Sequence, residues 1–446
     1  MRRNFTALAI GTTLALAGYA CSSSDGGAAS DPEEAGVASS DGAVATETST
    51  EDATATDGAS ATDASALDAS DAADAADAAD AADASDAADA ADAADAAPAV
   101  PEVVFVGRFD TTPALGPKVA FPSAEIIARF SGTEVKATFA DSILFGDLGK
   151  TRWEVIVDAT STVLTLERTQ MKYTLATGLA PGNHTVRLIR LSEPQIGTSQ
   201  FLGFDFNGGT LLAPPPRPTR HFEFLGDSAS NGFGIEGAGN CTFSAATENS
   251  QKAYPALVAK DLGGDHHNLS VSGKGLYQNN YRPDLETYSF VYPRIIPFTD
   301  GSSWSFAGYS PDVVWMTLGG NDYDDPDGNP MNAPDAPPFA AFEAKYAEMV
   351  TLIRTKHPAA HVFCAVAPSL NDSYPPGYNA FTNVKTAASN VVAAKNGAGD
   401  TKVYYFEFTR SQQGDLTGCD GHPNVAKHRA MADEAILFIK QKTLWP

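Results

Sequence analysis

Four short segments of this chain carry residues whose types and order suit acyl-transfer chemistry. Phe224-Leu225-Gly226-Asp227-Ser228 sets a serine directly after an apolar stretch, on a turn opened by glycine. A serine so placed stands at the edge of a sheet, where its hydroxyl can attack a carbonyl once a base takes the proton. In Asn268-Leu269-Ser270-Val271-Ser272-Gly273-Lys274-Gly275, Gly273 follows a second short strand and can turn its backbone N–H toward a ligand. Leu318-Gly319-Gly320-Asn321-Asp322 follows a third strand, and the Asn321 amide can donate to an oxyanion. Gly418-Cys419-Asp420-Gly421-His422-Pro423 puts a histidine before the last helix, where a neutral imidazole can act as general base. Each segment alone has an ordinary explanation: a capping serine, a loop glycine, a Gly-Asn-Asp turn, a structural histidine. Together, in the order Ser, Gly, Asn, His, they point to one site. Position 230 is Ser, so the nucleophile does not sit in a Gly-x-Ser-x-Gly elbow.

The surrounding pattern says what must hold these residues. Beyond the stiff Pro214-Pro215-Pro216 and Pro218 junction, strands and helices alternate. Strands are expected at 221–225, 267–271, 312–318, 361–367 and 402–408, and helices at 252–262, 339–356, 381–395 and 424–442. Such alternation predicts an α/β domain with a parallel sheet over residues 219–446, with ligands bound beyond the carboxyl ends of the strands. Residues 101–213 read differently. Short alternating segments at 103–109, 125–130, 134–139, 153–158, 163–167 and 184–191 are separated by Gly, Pro and Asn, as in Ser131-Gly132-Thr133 and Pro181-Gly182-Asn183. That is the pattern of an antiparallel β-sandwich.

The net charge of −25 is unevenly spread: residues 22–100 hold 20 of the 55 Asp and Glu and no Lys or Arg. The folded part is therefore only mildly acidic, and no basic patch argues for nucleic acid. Residues 71–96 repeat Asp-Ala-Ala with a period of three. A helix would spread those aspartates around its surface with nothing large to bury, so residues 21–100 read as a disordered, solvated spacer. Ahead of it, Arg2 and Arg3 precede a short apolar run at 7–17, the form of an export signal spanning residues 1–20. Leu16-Ala17-Gly18-Tyr19-Ala20-Cys21 resembles a bacterial lipoprotein cleavage site, although Gly18 stands where Leu is usual. Lipidation of Cys21, and so a membrane anchor at the cell envelope, is expected, with plain secretion as the alternative. Export permits a disulfide. Cys364 reads as a buried strand thiol, and Cys241 and Cys419, which flank the catalytic segments, are expected to pair.

The Ser, Gly, Asn and His segments resemble the SGNH hydrolase superfamily. Residues 224–234, Cys241-Thr242-Phe243-Ser244-Ala245 with Thr247-Glu248-Asn249, and Ser272-Gly273-Lys274-Gly275-Leu276 are similar to carbohydrate esterase family 2. The preceding sandwich, with Gly197-Thr198-Ser199-Gln200-Phe201-Leu202-Gly203-Phe204, fits that family as well. The resemblance implies a jelly-roll-like sandwich followed by a flavodoxin-like hydrolase domain. It also implies Ser228 as nucleophile, His422 as base, and Ser228, Gly273 and Asn321 as the oxyanion hole. SGNH enzymes commonly place the triad acid three residues before the histidine; here that residue is Cys419. Asp420 is the candidate acid, and the family resemblance offers a backbone carbonyl instead. Asp227 reads as structural.

The implied substrates are acetyl esters on polysaccharides such as xylan or glucomannan, handled by a monomer without a cofactor. Tyr277, Trp304 and Tyr323, with Tyr281 and Tyr288, lie in loops near the catalytic edge and could stack on sugars or simply pack those loops. No metal is expected. Counting back from Gly328 in the acidic run 322–328 leaves Tyr323 and Pro334 at ligand positions of a calcium loop, and adjacent His266 and His267 would face opposite ways. Two other functions remain open: a glycan-binding module without catalysis, and an esterase for lipids or small acyl compounds, for which the loops lack the apolar face of a lid.

Overall fold

The computed structural model describes residues 100–143, 148–239, 241–324 and 336–446. The export signal, Cys21 and all but the last residue of the Asp/Ala spacer lie outside the described residues, as does most of the acidic loop after Asp324. All described residues belong to one compact unit.

The first eight strands are β1 (Val104–Val106), β2 (Lys118–Val119), β3 (Glu125–Ser142), β4 (Arg152–Val157), β5 (Thr160–Thr165), β6 (Met171–Arg190), β7 (Thr198–Asp205) and β8 (Thr210–Leu212). They form one antiparallel sheet in the order β2-β7-β3-β6-β4-β5, with β1 and β8 also pairing with β3. The expected turns at Ser131-Gly132-Thr133 and Pro181-Gly182-Asn183 are not turns. Each lies inside a long strand, and Gly132 pairs directly with Gly182 across β3 and β6. The register shifts between Gly132 and Glu134. That irregularity changes the phase of burial: Ile126, Ala128 and Phe130 face the core before it, and Val135, Ala137 and Phe139 after it. A one-residue slip swaps the faces of a strand, so both halves of β3 keep their apolar side on one core.

Five parallel strands follow: β9 (Arg220–Leu225), β10 (Gly264–Asn268), β11 (Val313–Met316), β12 (His361–Val366) and β13 (Val403–Glu407), ordered β10-β9-β11-β12-β13. The helices are α1 (Ser228–Asn231), α2 (Tyr254–Asp261), α3 (Tyr288–Val291), α4 (Phe339–Lys356), α5 (Ala380–Gly397) and α6 (Val425–Thr443). β10 begins at Gly264, earlier than expected, because its register pairs Gly264 with Arg220 and Asn268 with Phe224. Both faces of this sheet are covered. In β11, Val314 and Met316 join the core beneath α4 and α5, while Val313 and Trp315 join the one beneath α2 and α6. Burial on both sides is why the strand reads as a continuous apolar run. The strand order reverses between β9 and β11, and the crevice at their carboxyl ends is where such sheets bind ligands.

Sandwich and parallel sheet are joined by buried polar contacts. Arg108 reaches across to Glu223 of β9, with both side chains fully buried and 3.4 Å apart. Arg108 also donates to the carbonyls of Tyr292 and Arg294. Glu223 accepts from the Tyr292 hydroxyl at 2.8 Å and meets His357 at 3.2 Å. Burial alone would raise the Glu223 pKa, but the His357 bond and the Arg108 charge hold it down to about 2. Removing one partner of such a pair leaves a buried charge uncompensated. Arg108→Ala is therefore expected to destabilise the fold by about 3–5 kcal/mol, read by chemical denaturation. A loss below about 1 kcal/mol would show that the two sheets do not depend on this pair.

Candidate active site

β9 delivers the nucleophile. A side chain at Gly226 would strike Ser230 Oγ, 2.1 Å from where its Cβ would stand. Lack of space for a side chain, rather than the backbone conformation, calls for glycine here, and α1 begins at once with Ser228 as its first residue. Asp227 caps that helix, its Oδ1 accepting the Ala229 N–H at 3.2 Å. Burial pushes the Asp227 carboxyl up to about 6.

His422 completes the pair: its Nε2 lies 2.8 Å from Ser228 Oγ. On the other side of the ring, Nδ1 faces the Cys419 carbonyl at 3.1 Å. Asp420, the candidate acid, does not take that place; the alternative, a backbone carbonyl, does. Asp420 adopts a left-handed conformation (φ 51°), and its Oδ2 instead accepts the Phe243 N–H at 2.9 Å. The carbonyl that replaces it is tightly held. Cys419 is disulfide-bonded to Cys241 and donates its N–H to Gly234 O at 3.1 Å. The next N–H, of Asp420, goes to Cys241 O at 3.0 Å. Asp420 thus clamps the turn that aims the carbonyl. Phe233 packs against the His422 ring, 4.3 Å between centroids and tilted by 32°, and stacks on Phe243. Burial lowers the His422 pKa below its ordinary 6.5, while the Cys419 carbonyl and the charges of Asp420 and Asp324 work the other way.

Two residues that line the nucleophile's cleft, Ser228 and Gly273, carry backbone donors. Gly273 sits at φ +76°, the left-handed region that glycine favours. Neither its N–H nor that of Ser228 has an acceptor among the described residues. Asn321, on the short helical turn after β11, also lines the cleft. Its Nδ2 donates to Lys274 O at 3.1 Å and to Asp227 Oδ2 at 3.2 Å. Asp322 beside it is fully buried and accepts the backbone N–H groups of Leu276, Tyr277 and Gln278, at 2.6–3.1 Å. Burial pushes this carboxyl up to about 7 against those bonds. Asp322 is therefore the anchor of the loop after Gly273, a role hidden by its place in an acidic run.

The cleft has a volume of about 600 Å³. Of the expected aromatic residues, only Tyr323 borders it, and that ring is itself buried against Phe342. Tyr277 lies outside the lining, its backbone N–H tied to Asp322. Trp304 packs against the Arg108 guanidinium and His267, remote in function from the catalytic edge. Tyr288 is buried, its hydroxyl bonded to Leu269 O. Besides Tyr323 and His422, the rings that line the cleft are Phe233 and the half-exposed Tyr374. Phe233 follows the nucleophile by five residues, inside the 224–234 segment that carries part of the family resemblance.

The parallel sheet and this set of residues define a GDSL-like hydrolase, a class of carboxylic ester hydrolases. Residues 105–216 match the family described as carbohydrate esterase 2 N-terminal, and residues 224–430 the GDSL-like lipase/acylhydrolase family. A family two carbohydrate esterase from Clostridium thermocellum, solved in complex with cellohexaose, is 31% identical with a TM-score of 0.70, covering 77% of this chain and 100% of that one. The cellulase/esterase CelE of Acetivibrio thermocellus is 32% identical over 348 residues; the match covers 77% of this chain and 40% of that protein's length. An acetylxylan esterase/glucomannan deacetylase of Cellvibrio japonicus is 26% identical, over 72% of this chain and 85% of its own. The chain belongs to carbohydrate esterase family 2.

The form of His422 that can take a proton is the neutral one, and burial favours it. The acid limb of kcat/KM should therefore rise with pH through a midpoint below 6.5, and Asp420→Asn should move the midpoint lower still by removing a charge that raises it. The same variant should lose less than about tenfold in kcat, because the carbonyl remains. A loss near 10,000-fold, the scale seen when a true triad carboxylate is neutralised, would return the orienting role to Asp420.

Proposed function

We propose that the chain is a serine esterase that removes acetyl groups from polysaccharides. The observation that carries this reading is the 2.8 Å contact of His422 Nε2 with Ser228 Oγ beside two unengaged backbone donors. His422 takes the Ser228 proton as Oγ attacks the ester carbonyl, and a tetrahedral oxyanion forms. The Ser228 and Gly273 N–H groups stabilise that charge. The Asn321 amide joins them by giving up its long bond to Asp227. The intermediate collapses, the bond to the sugar oxygen breaks, and His422 gives its proton to that oxygen, which leaves as a free hydroxyl with an acetyl-enzyme behind it. Water, deprotonated by the same ring, releases acetate. The Cys419 carbonyl keeps Nδ1 protonated, so Nε2 is the basic nitrogen throughout.

The similarity to a protein named for acetylxylan and glucomannan deacetylation favours those two polymers as substrates. An open cleft with Phe233 and the half-exposed Tyr374 at its walls suits a chain that passes through. Residues 101–446 should release acetate from acetylated xylan or glucomannan, and Ser228→Ala should lose several orders of magnitude. If neither protein releases acetate and both bind glycan, the cleft is a binding site. Arg2, Arg3, the apolar run and Cys21 support export with a lipid on Cys21. Cys21→Ser should then move the protein from the membrane fraction to the soluble one; unchanged partitioning would exclude that anchor.

A further inference from the structure

The loop between β6 and β7 of the sandwich carries Glu193 and Gln195, and both reach Ser272 in the loop that follows β10 of the catalytic sheet. Glu193 Oε2 accepts the Ser272 N–H at 3.0 Å and the Asn231 Nδ2 at 2.9 Å. Gln195 Nε2 donates to the Ser272 carbonyl at 2.6 Å. Asn231 is the last residue of the helix that starts with Ser228, and it also donates to Ser272 Oγ at 3.2 Å. The Ser272 carbonyl and the Gly273 N–H belong to one peptide unit. In a planar trans peptide they point in opposite directions. Pulling the carbonyl toward the sandwich therefore turns the Gly273 N–H the other way, and Gly273 lines the cleft that holds Ser228. A donor on the carbonyl also polarises the peptide and strengthens its N–H as a donor.

We propose that Gln195, with Glu193, is a positioning residue for the oxyanion hole, so that the sandwich is a working part of the esterase site. The loop that presents these residues is itself fixed. Arg190, fully buried at the end of β6, donates to the carbonyls of Ala120, Ser192, Glu193 and Gly197. The Glu193 N–H in turn goes to Glu248 Oε2 at 3.0 Å, on the hydrolase side. Direction thus passes from Arg190, through the loop, to one peptide of the active site. Gln195 touches no reacting atom; it acts through the Gly273 peptide.

The proposal rests on the esterase reading of Ser228, and two measurements separate the two. Gln195→Met removes the donor at similar length, and Gln195→Glu puts an acceptor against the carbonyl. Oxyanion bonding exists only in the transition state. Misaimed, a donor of this kind should cost about 10- to 100-fold in kcat at near-constant KM, more for Glu than for Met, with the melting temperature little changed. A drop in KM-dependent binding alone, or full activity in both variants, overturns it. The backbone amide resonance of Gly273 reports the same peptide without turnover: it should move in Gln195→Met and in Glu193→Gln. A resonance that stays in place overturns the proposal even if the parent protein releases no acetate.

Discussion

A histidine that is to accept a proton at Nε2 must hold one at Nδ1, and that proton needs an acceptor. In this protein the acceptor is a backbone carbonyl, that of Cys419. A carbonyl carries no net charge, so it orients the ring with less stabilisation of the imidazolium than a carboxylate would supply. It also cannot rotate into place as a side chain can; its direction is set by the peptide. Much of the surrounding structure follows from that requirement. The disulfide to Cys241, the Cys419 N–H on Gly234, the Asp420 N–H on Cys241 and the left-handed turn at Asp420 all hold one peptide plane. Phe233 closes the ring's other flank. The enclosure that fixes the ring also makes its charged form unfavourable, which suits a base more than an acid.

A second constraint is the burial of polar groups where the two sheets meet. Arg108, Arg190, Glu193, Glu223 and Glu248 are all buried there. Burial pushes the Glu193 carboxyl up, and burial together with the Glu193 charge pushes Glu248 well up. Groups of this kind are costly unless their bonds are made. Those of Arg108 and Glu193 are made across the interface, and those of Arg190 hold the sandwich loop that reaches it. The two sheets are therefore parts of one unit, and the catalytic edge borders on the seam: Ser272, held by sandwich residues, precedes the glycine that lines the cleft with Ser228.

The α/β alternation, the helix boundaries within two residues or so, and the Ser228, Gly273, Asn321 and His422 positions were legible because each leaves a local mark: a period of burial, a glycine at a strand end, a histidine before a helix. The folded-over sheet was less so. Gly132 and Gly182 look like turn formers singly, and only their pairing across β3 and β6 makes them a bulge and a bend within long strands. Loop membership puts Trp304 and Tyr277 near the catalytic edge and leaves open whether they stack on sugars or pack their loops, since loop position does not say which way a ring faces; Arg108 draws Trp304 away. The choice between Asp420 and a carbonyl could not be read either, since a backbone group has no residue type. Gln195 gives no signal at all, because its role exists only where two distant segments meet.

Trapping the intact protein with a phosphonate ester that mimics the tetrahedral adduct, followed by peptide mass spectrometry, tests the Ser228–His422 pairing most directly. One adduct is expected, on Ser228, formed at a rate that climbs with pH as His422 loses its proton and that collapses in His422→Ala. An adduct on another residue, or labelling of Ser228 that proceeds equally fast without His422, would contradict the pairing on which the whole mechanism stands.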